Sequence, residues 1–243
     1  MSSLNDKSVV DAKISDHNPL IYSNNGKDVF CTFNILDRCE YITHGDKAFY
    51  NNGFRTVETE EQYNSRLLKI ADVIEELAVQ YNVKYFFLQE APSPKIGQMF
   101  YQILQSRLGW LTIDPKALFV DSDLGGVYSS GGILTIFPAD IGMENITEEI
   151  QSYISEAHKQ RAQAFKITRP SYQTFQIANF HGKYKYQDFM LNDIKALLQK
   201  SFLVGGDFNL LMEPDVRIPK SSAPTQKGIF LHSTYDAIYD GRV

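Results

Sequence analysis

The stretch Phe202-Leu203-Val204-Gly205-Gly206-Asp207-Phe208-Asn209 constrains this chain more than any other. The apolar run reads as a buried strand, two glycines read as its break, and an acid and an amide follow. Side chains alternate along an extended chain, so Asp207 and Asn209 point the same way at the strand's end. Polar groups held there are well placed for chemistry. Gly and Asp are equally at home in an ordinary turn, so the segment by itself leaves both readings open.

The rest of the chain supplies a context for it. At 243 residues the sequence can bury a full core and is read as one domain over 1–243. A hydrophobic fraction of 43% and a charged fraction of 22% are those of an ordinary globular protein. No apolar run is long enough to span a membrane, and the polar start, Met1 to Lys13, has no signal-peptide core, so a cytoplasmic location is expected. Cys31 and Cys39 lack metal-site spacing and read as free thiols. A net charge of −5 argues against broad electrostatic affinity for nucleic acid, although a bound metal would supply positive charge locally.

In chain order, Val9 to Ile14 is a short extended candidate, followed by Ser15-Asp16-His17 and, past Pro19, a strand at Leu20-Ile21-Tyr22. The Asn25-Gly26 pair between two apolar runs predicts a hairpin whose second arm is Val29 to Asn34. Arg38 to Glu58 reads as a long loop. From Glu60 to Tyr81, Leu67, Ile70, Ile74 and Leu77 recur at helical spacing. Val83 to Leu88 reads as a buried strand delivering Gln89 and Glu90, and Gly97 to Leu108 as a second helix. Asp121 to Ser130 is a loop, Gly131 to Phe137 a strand, and two more strands fall at Ala162–Thr168 and Tyr172–Phe180, the second closed by His181. Asp188 to Lys200 reads as a helix with Leu191, Ile194, Leu197 and Leu198 inward, and Glu213 to Gly228 as a loop. Strands alternating with helices, then paired strands, predict an α/β protein of two packed sheets with helices outside.

Several residues stand in recurring company. Thr32-Phe33-Asn34, Leu88-Gln89-Glu90, Asn179-Phe180-His181-Gly182 and Gly206-Asp207-Phe208-Asn209 follow one another in that order, and Ser15-Asp16-His17-Asn18-Pro19-Leu20 precedes them. The set resembles the endonuclease/exonuclease/phosphatase superfamily, whose motifs are an early strand ending in Asn, then LQE, NTHL, GDFN and finally SDHxP. The last motif stands here at the opposite end of the chain. Ser233 to Asp240 resembles the LDYIF strand that normally precedes it, and this order implies a circular permutation. The resemblance implies a four-layered α/β sandwich of two packed, mostly antiparallel sheets flanked by helices, circularly permuted.

It also implies a divalent-metal phosphoesterase using Mg²⁺ or Mn²⁺, with nucleic acid the foremost substrate. Residue by residue, Glu90 becomes the principal metal ligand, with Asn34 and Asp16 close to the metal. His17 pairs with Asp236, Asp207 activates or positions the water, and Asn209 and His181 hold the scissile phosphate. Oxygen donors such as Glu90 and the Asn34 amide suit a hard cation, and His is suited to such work by a pKa near neutrality. The chain departs from the family in Asn-Phe-His-Gly for NTHL and in lacking the Cys-Asp-Arg motif of inositol-polyphosphate 5-phosphatases. An inactive family member kept as a binding module, and a phosphatase acting on a lipid or small-molecule phosphate, are the alternatives. His44, His158 and His232 read as surface residues and Arg66 as a charge on a solvated helix face or a family feature. Tyr184 and Tyr186, beside Lys183 and Lys185, read as a stacking patch or as an edge strand.

Overall fold

Two sheets face each other in the computed structural model, which describes residues 15, 19–24, 28–35, 59–120, 131–171, 173–182, 187–208, 230–232 and 236–240. The first sheet holds β1 (Leu20–Asn24), β2 (Asp28–Asn34), β3 (Tyr85–Ala91), β4 (Leu111–Thr112), β5 (Phe119–Val120) and β6 (Gly132–Pro138), in the order β1-β2-β3-β6-β4 with β5 also on β6. The second holds β7 (Gly142–Asn145), β8 (Ala162–Thr168), β9 (Thr174–His181), β10 (Phe202–Asp207), β11 (Phe230–His232) and β12 (Asp236–Asp240), in the order β11-β12-β10-β9-β8-β7. Both sheets are mixed: β2–β3 and β9–β10 are parallel, and the other pairs among the described residues are antiparallel.

The layers follow from period-2 patterning. Phe165, Ile167, Phe175, Ile177 and Leu203 of the second sheet pack into the same core as β2 and β3 of the first. Their neighbours in sequence, Ala162, Ala164, Ala178, Phe180, Phe202 and Val204, pack on the opposite face against Met190, Ile194 and Leu197 of helix α5 (Gln187–Gln199). On the far side α1 (Glu60–Gln80) and α2 (Gln98–Arg107) cover the first sheet. Helices, sheet, sheet and helix make an α/β sandwich. Short helices α3 (Pro115–Leu118) and α4 (Thr147–Ile150) and a 3₁₀ turn (Glu156–Arg161) fill the connections.

Local chemistry sets the boundaries. Thr59 caps α1: its hydroxyl accepts from the Gln62 N–H at 3.2 Å and the Gln62 side chain accepts from the Thr59 N–H at 2.9 Å. Glu60 and Glu61 then lie in the first turn, where the helix dipole favours acids. The expected hairpin's two arms are present as the antiparallel β1–β2 pair, with Leu20 opposite Thr32, and Asn25 and Gly26 lie outside the described residues. No helix among the described residues is long and apolar enough to cross a membrane.

Three sequence expectations need correction. Gly205 and Gly206 do not break their strand, because β10 runs through to Asp207. They are glycines because a Cβ on Gly206 would lie 1.9 Å from the Phe180 carbonyl oxygen, and one on Gly205 would lie 2.4 Å from the Phe87 ring. In α5 Leu191 is exposed and Met190 takes the inward position, one residue from the expected register. Arg66 is buried on α1, its Nη1 donating to the Ile35 carbonyl at 3.0 Å where the chain leaves β2. The expected strand at Val9–Ile14, the loops at Arg38–Glu58, Asp121–Ser130 and Glu213–Gly228, and Asp16, His17, His44, Tyr184, Tyr186 and Asn209 lie outside the described residues.

Candidate metal centre

Parallel neighbours end at the same edge of a sheet, and two such pairs face each other here. β2–β3 sets Asn34 opposite Gln89, and β9–β10 sets Asp207 opposite His181. Sites of parallel sheets lie beyond the carboxyl ends of strands for this reason. β12 runs the other way and begins where β10 ends, so the Asp236 backbone lies beside Asp207. The Asp236 and His232 side chains are outside what is described. Ser15 is buried at the same edge, its hydroxyl donating to the Asn34 carbonyl at 2.7 Å. The segment that begins Ser15-Asp16-His17 therefore starts from the end of β2.

Alternation decides which side chains enter the space between the sheets. Phe30 stacks on Tyr85 at 4.7 Å and Phe87 meets Gly205, which fixes the inward sides of β2, β3 and β10. Two-residue steps along each strand then turn Asn34, Gln89 and Asp207 inward, and Phe175 and Ile177 do the same for Asn179 and His181 on β9. Glu90 breaks the pattern. By alternation it would face the helices with Phe86 and Leu88. Instead, the β3–β6 register shifts between Leu88 and Ala91, and Glu90 sits at φ 52°, in the left-handed region. A non-glycine residue held there costs of order 1–3 kcal/mol and persists only where the surroundings fix it, most often at a functional site. The result is a carboxylate turned back across the strand, with Oε1 3.0 Å from Asn34 Nδ2.

The four side chains close on one another. Asn34 Nδ2 also donates to Asp207 Oδ2 at 2.9 Å, so one amide group holds two carboxylates from facing sheets. Carboxylates only accept, which orients the amide with its nitrogen toward them. His181 Nε2 lies 3.9 Å from Glu90 Oε1 and 3.9 Å from Asp207 Oδ2. Asn34, Asp207 and His181 are buried and Glu90 is half-buried at the mouth. Behind them Arg161, also buried, donates from Nη1 to the carbonyls of His181 at 3.3 Å and Gly182 at 2.9 Å. The Gly182 N–H donates to the Asp207 carbonyl at 2.7 Å, and a Cβ on Gly182 would lie 2.2 Å from the Phe208 oxygen. The backbone at Gly182, just after β9, is thus fixed by contacts that only glycine permits.

Glu90, Asp207 and His181 offer three ligand atoms within 4.8 Å of one another. Two like charges about 5 Å apart at an effective dielectric near 20 repel by about 3 kcal/mol. A divalent cation among these atoms would reverse that cost. The two carboxylate oxygens suit Mg²⁺ or Mn²⁺, and the imidazole nitrogen favours a transition ion such as Mn²⁺ over Mg²⁺. The residues therefore fit a metal, with Asp207 and His181 joining Glu90 as candidate ligands. Asp207 and His181 stand with Glu90 at ligand distance, while Asn34 turns its nitrogen to the acids. Asp16, His17 and Asn209 are not among the described residues, and Asp236 is placed by its backbone alone.

Other residues escaped the sequence reading. Arg161 carries no motif, and only its position just before β8 ties it to His181. His158, expected at the surface, is fully buried, with Nδ1 2.7 Å from Asp193 Oδ2. Ser155 completes that cluster by donating to Asp193 from Oγ at 2.7 Å and from its N–H at 2.8 Å. Serine and aspartate meet the same ring nitrogen, with Ser155 Oγ 3.2 Å from His158 Nδ1, whereas a nucleophilic triad places them on opposite nitrogens. This is a structural lock.

No protein-family model matches the chain, and none of the curated proteins does. Solved structures do. An endonuclease/exonuclease/phosphatase family protein from Bacteroides thetaiotaomicron aligns with TM-score 0.48 and 12% identity over 93% of this chain and 84% of that one. ANGEL2, a 2',3'-cyclic phosphatase, aligns with TM-score 0.47 and 14% identity over 75% of this chain and 53% of that one, so the chain spans about half of the ANGEL2 structure's length. The mannosyl-6-phosphatase Bt3783 of Bacteroides thetaiotaomicron VPI-5482 aligns with TM-score 0.46 and 12% identity over 86% and 84% of the two chains. The solved structures to which this chain is similar include members of the endonuclease/exonuclease/phosphatase family.

Proposed function

We propose that this chain is a divalent-metal-dependent phosphoesterase of the endonuclease/exonuclease/phosphatase type, one domain with circularly permuted motifs, hydrolysing phosphodiester bonds in nucleic acid. One observation carries the reading. Asn34, Glu90, His181 and Asp207 come from four separated motifs and two sheets, and their side chains meet at one buried edge. Chance motif matches would scatter over the fold.

Glu90, Asp207 and His181 would hold a divalent cation, and Asn34, donating to both carboxylates, fixes their spacing. When bound, a divalent ion supplies positive charge against the non-bridging oxygens of a phosphodiester. Arg161 fixes the backbone that carries His181, so the ring is oriented toward Glu90 and Asp207 before any ion binds. His17 exchanges the proton of the attacking water or leaving oxygen, with Asp236 holding its imidazole. The Ser15 hydroxyl on the Asn34 carbonyl and the Asp236 backbone beside Asp207 support this pairing.

The test is a hydrolysis screen with the full chain, Mg²⁺ or Mn²⁺, over single- and double-stranded DNA, RNA, phosphoinositides and bis(p-nitrophenyl) phosphate. The reading expects cleavage of a nucleic acid, loss with EDTA and return with either ion. Turnover of phosphoinositide alone would keep the chemistry and replace the substrate. No metal-dependent turnover of any of these would reject the enzyme. For the permuted pair, His17→Ala should lower kcat by about 10²-fold. Adding Asp236→Asn should cost little more, and full multiplication of the two losses would separate the residues.

A further inference from the structure

Asn179 stands between the two sheets at the rung where β3 and β6 lose register. Its Nδ2 donates to the Leu88 carbonyl at 3.2 Å and to the Leu134 carbonyl at 3.1 Å. Leu88 and Leu134 are the last regular partners before the shift that ends at Ala91 opposite Gly132. Asn179 Oδ1 accepts from Gln89 Nε2 at 2.8 Å, and Gln89 Nε2 donates as well to the Phe87 carbonyl at 2.9 Å. Thr32 Oγ1 lies 3.3 Å from Gln89 Oε1 and closes the far side. All three polar side chains are fully buried.

We propose that Asn179, clasped by Gln89, is a positioning residue that holds the β3 bulge open and so turns Glu90 into the metal centre. The inference rests on the phosphoesterase reading of that centre and adds what sets its geometry. Glu90 faces inward only because the register shifts and its φ is positive. Neither is what a regular antiparallel ladder would adopt, so something must outweigh re-pairing of β3 with β6. The Asn179 amide does this from the opposite sheet by occupying the carbonyls of Leu88 and Leu134. The same side chain lies two residues before His181 on β9. One group therefore ties the placement of Glu90 to that of His181. Buried polar groups of this kind are costly unless fully paired, which makes the clasp selective for one arrangement.

Two variants test it on the full chain. Asn179→Leu keeps the volume and removes both carbonyl bonds. Gln89→Met removes the clasp but leaves Asn179 against the carbonyls, and serves if the first variant fails to fold. Two readouts are taken together, Mn²⁺ affinity by titration and hydrogen exchange along the chain. The proposal expects faster exchange confined to peptides spanning residues 85–92 and 132–136, with Mn²⁺ affinity about 10-fold weaker or more. Asn179→Leu should exceed Gln89→Met, and the double variant should match Asn179→Leu. Unchanged local exchange, exchange raised evenly through the core, or local exchange raised with Mn²⁺ affinity intact would each overturn it. Absence of Mn²⁺ binding in the unaltered chain would instead reject the phosphoesterase reading, while the exchange pattern would still decide whether Asn179 holds the bulge.

Discussion

Two buried histidines lie on opposite faces of β9, and they differ in how closely acids approach them. His158 packs edge-on against Phe180 at 5.5 Å, on the face covered by α5, and its Nδ1 lies 2.7 Å from Asp193. His181 points into the space between the sheets, with two carboxylate oxygens each at 3.9 Å. At 2.7 Å a pair is a finished hydrogen bond, and Ser155 closes the remaining approach. At 3.9 Å the acids are gathered around the ring without being bonded to it, which leaves a gap that one ion can bridge. A short partner makes the first pair a lock, and three ligand atoms within 4.8 Å of one another make the second a candidate metal site.

The strongest way to break the comparison is to disturb what both histidines share. Gly206 lets β10 approach β9 at Phe180, the residue between them. Gly206→Ala should push the strands apart, since its Cβ would fall 1.9 Å from the Phe180 oxygen, and little folded protein should be recovered. Soluble expression and circular dichroism report it. Next, Glu90→Gln should lower turnover by at least about 10²-fold with the melting temperature held or raised, because a repelling charge is removed.

The histidines themselves should separate. His158→Ala should cost about 3 kcal/mol of stability by emptying a buried site and removing one of Asp193's partners, while the folded molecules keep their turnover. His181→Ala should do the reverse, losing turnover about 10²-fold with a small change in stability. Denaturant melts and kcat on the same preparations decide it, and equal stability losses would erase the distinction.

The smallest effect is expected at the far end of the sandwich, where Arg169 pairs with Asp28 and lies over the Phe175 ring at 4.7 Å. Tyr85 there is pushed up to about 12, chiefly by burial and then by the Asp28 charge. Its folded pKa lies above the unfolded value of 10.0, so the neutral phenol's stabilisation is complete below 10 and is lost as pH rises toward 12. Tyr85→Phe should flatten the decline in stability over that alkaline window, as melts from pH 9 to 12 would show.

Strand and helix placement was legible because apolar spacing at two and 3.6 residues is a local property. The β1–β2 pairing and the Leu67-Ile70-Ile74-Leu77 face needed no tertiary information. The site's membership was legible only through motif resemblance, since Asn34 and Asp207 are 173 residues apart. What stayed hidden depends on neighbours from elsewhere in the chain. Gly205 and Gly206 read as a break because nothing local reveals the Phe87 ring or the Phe180 carbonyl. His158 read as exposed because Asp193 comes 35 residues later, on a helix. Glu90's inward turn is set by a register shift against β6, and alternation alone predicts the wrong face.

Joint binding of one divalent cation by Glu90, Asp207 and His181 underlies every role proposed for the site. Isothermal titration of Mn²⁺ into the full chain, with Glu90→Gln, Asp207→Asn and His181→Ala alongside, tests this without any substrate. The expected result is one saturable Mn²⁺ site, displaced by Mg²⁺ and weakened by about 10-fold or more in each variant. Binding that survives intact in Glu90→Gln and Asp207→Asn, or no binding in the unaltered chain, would contradict it.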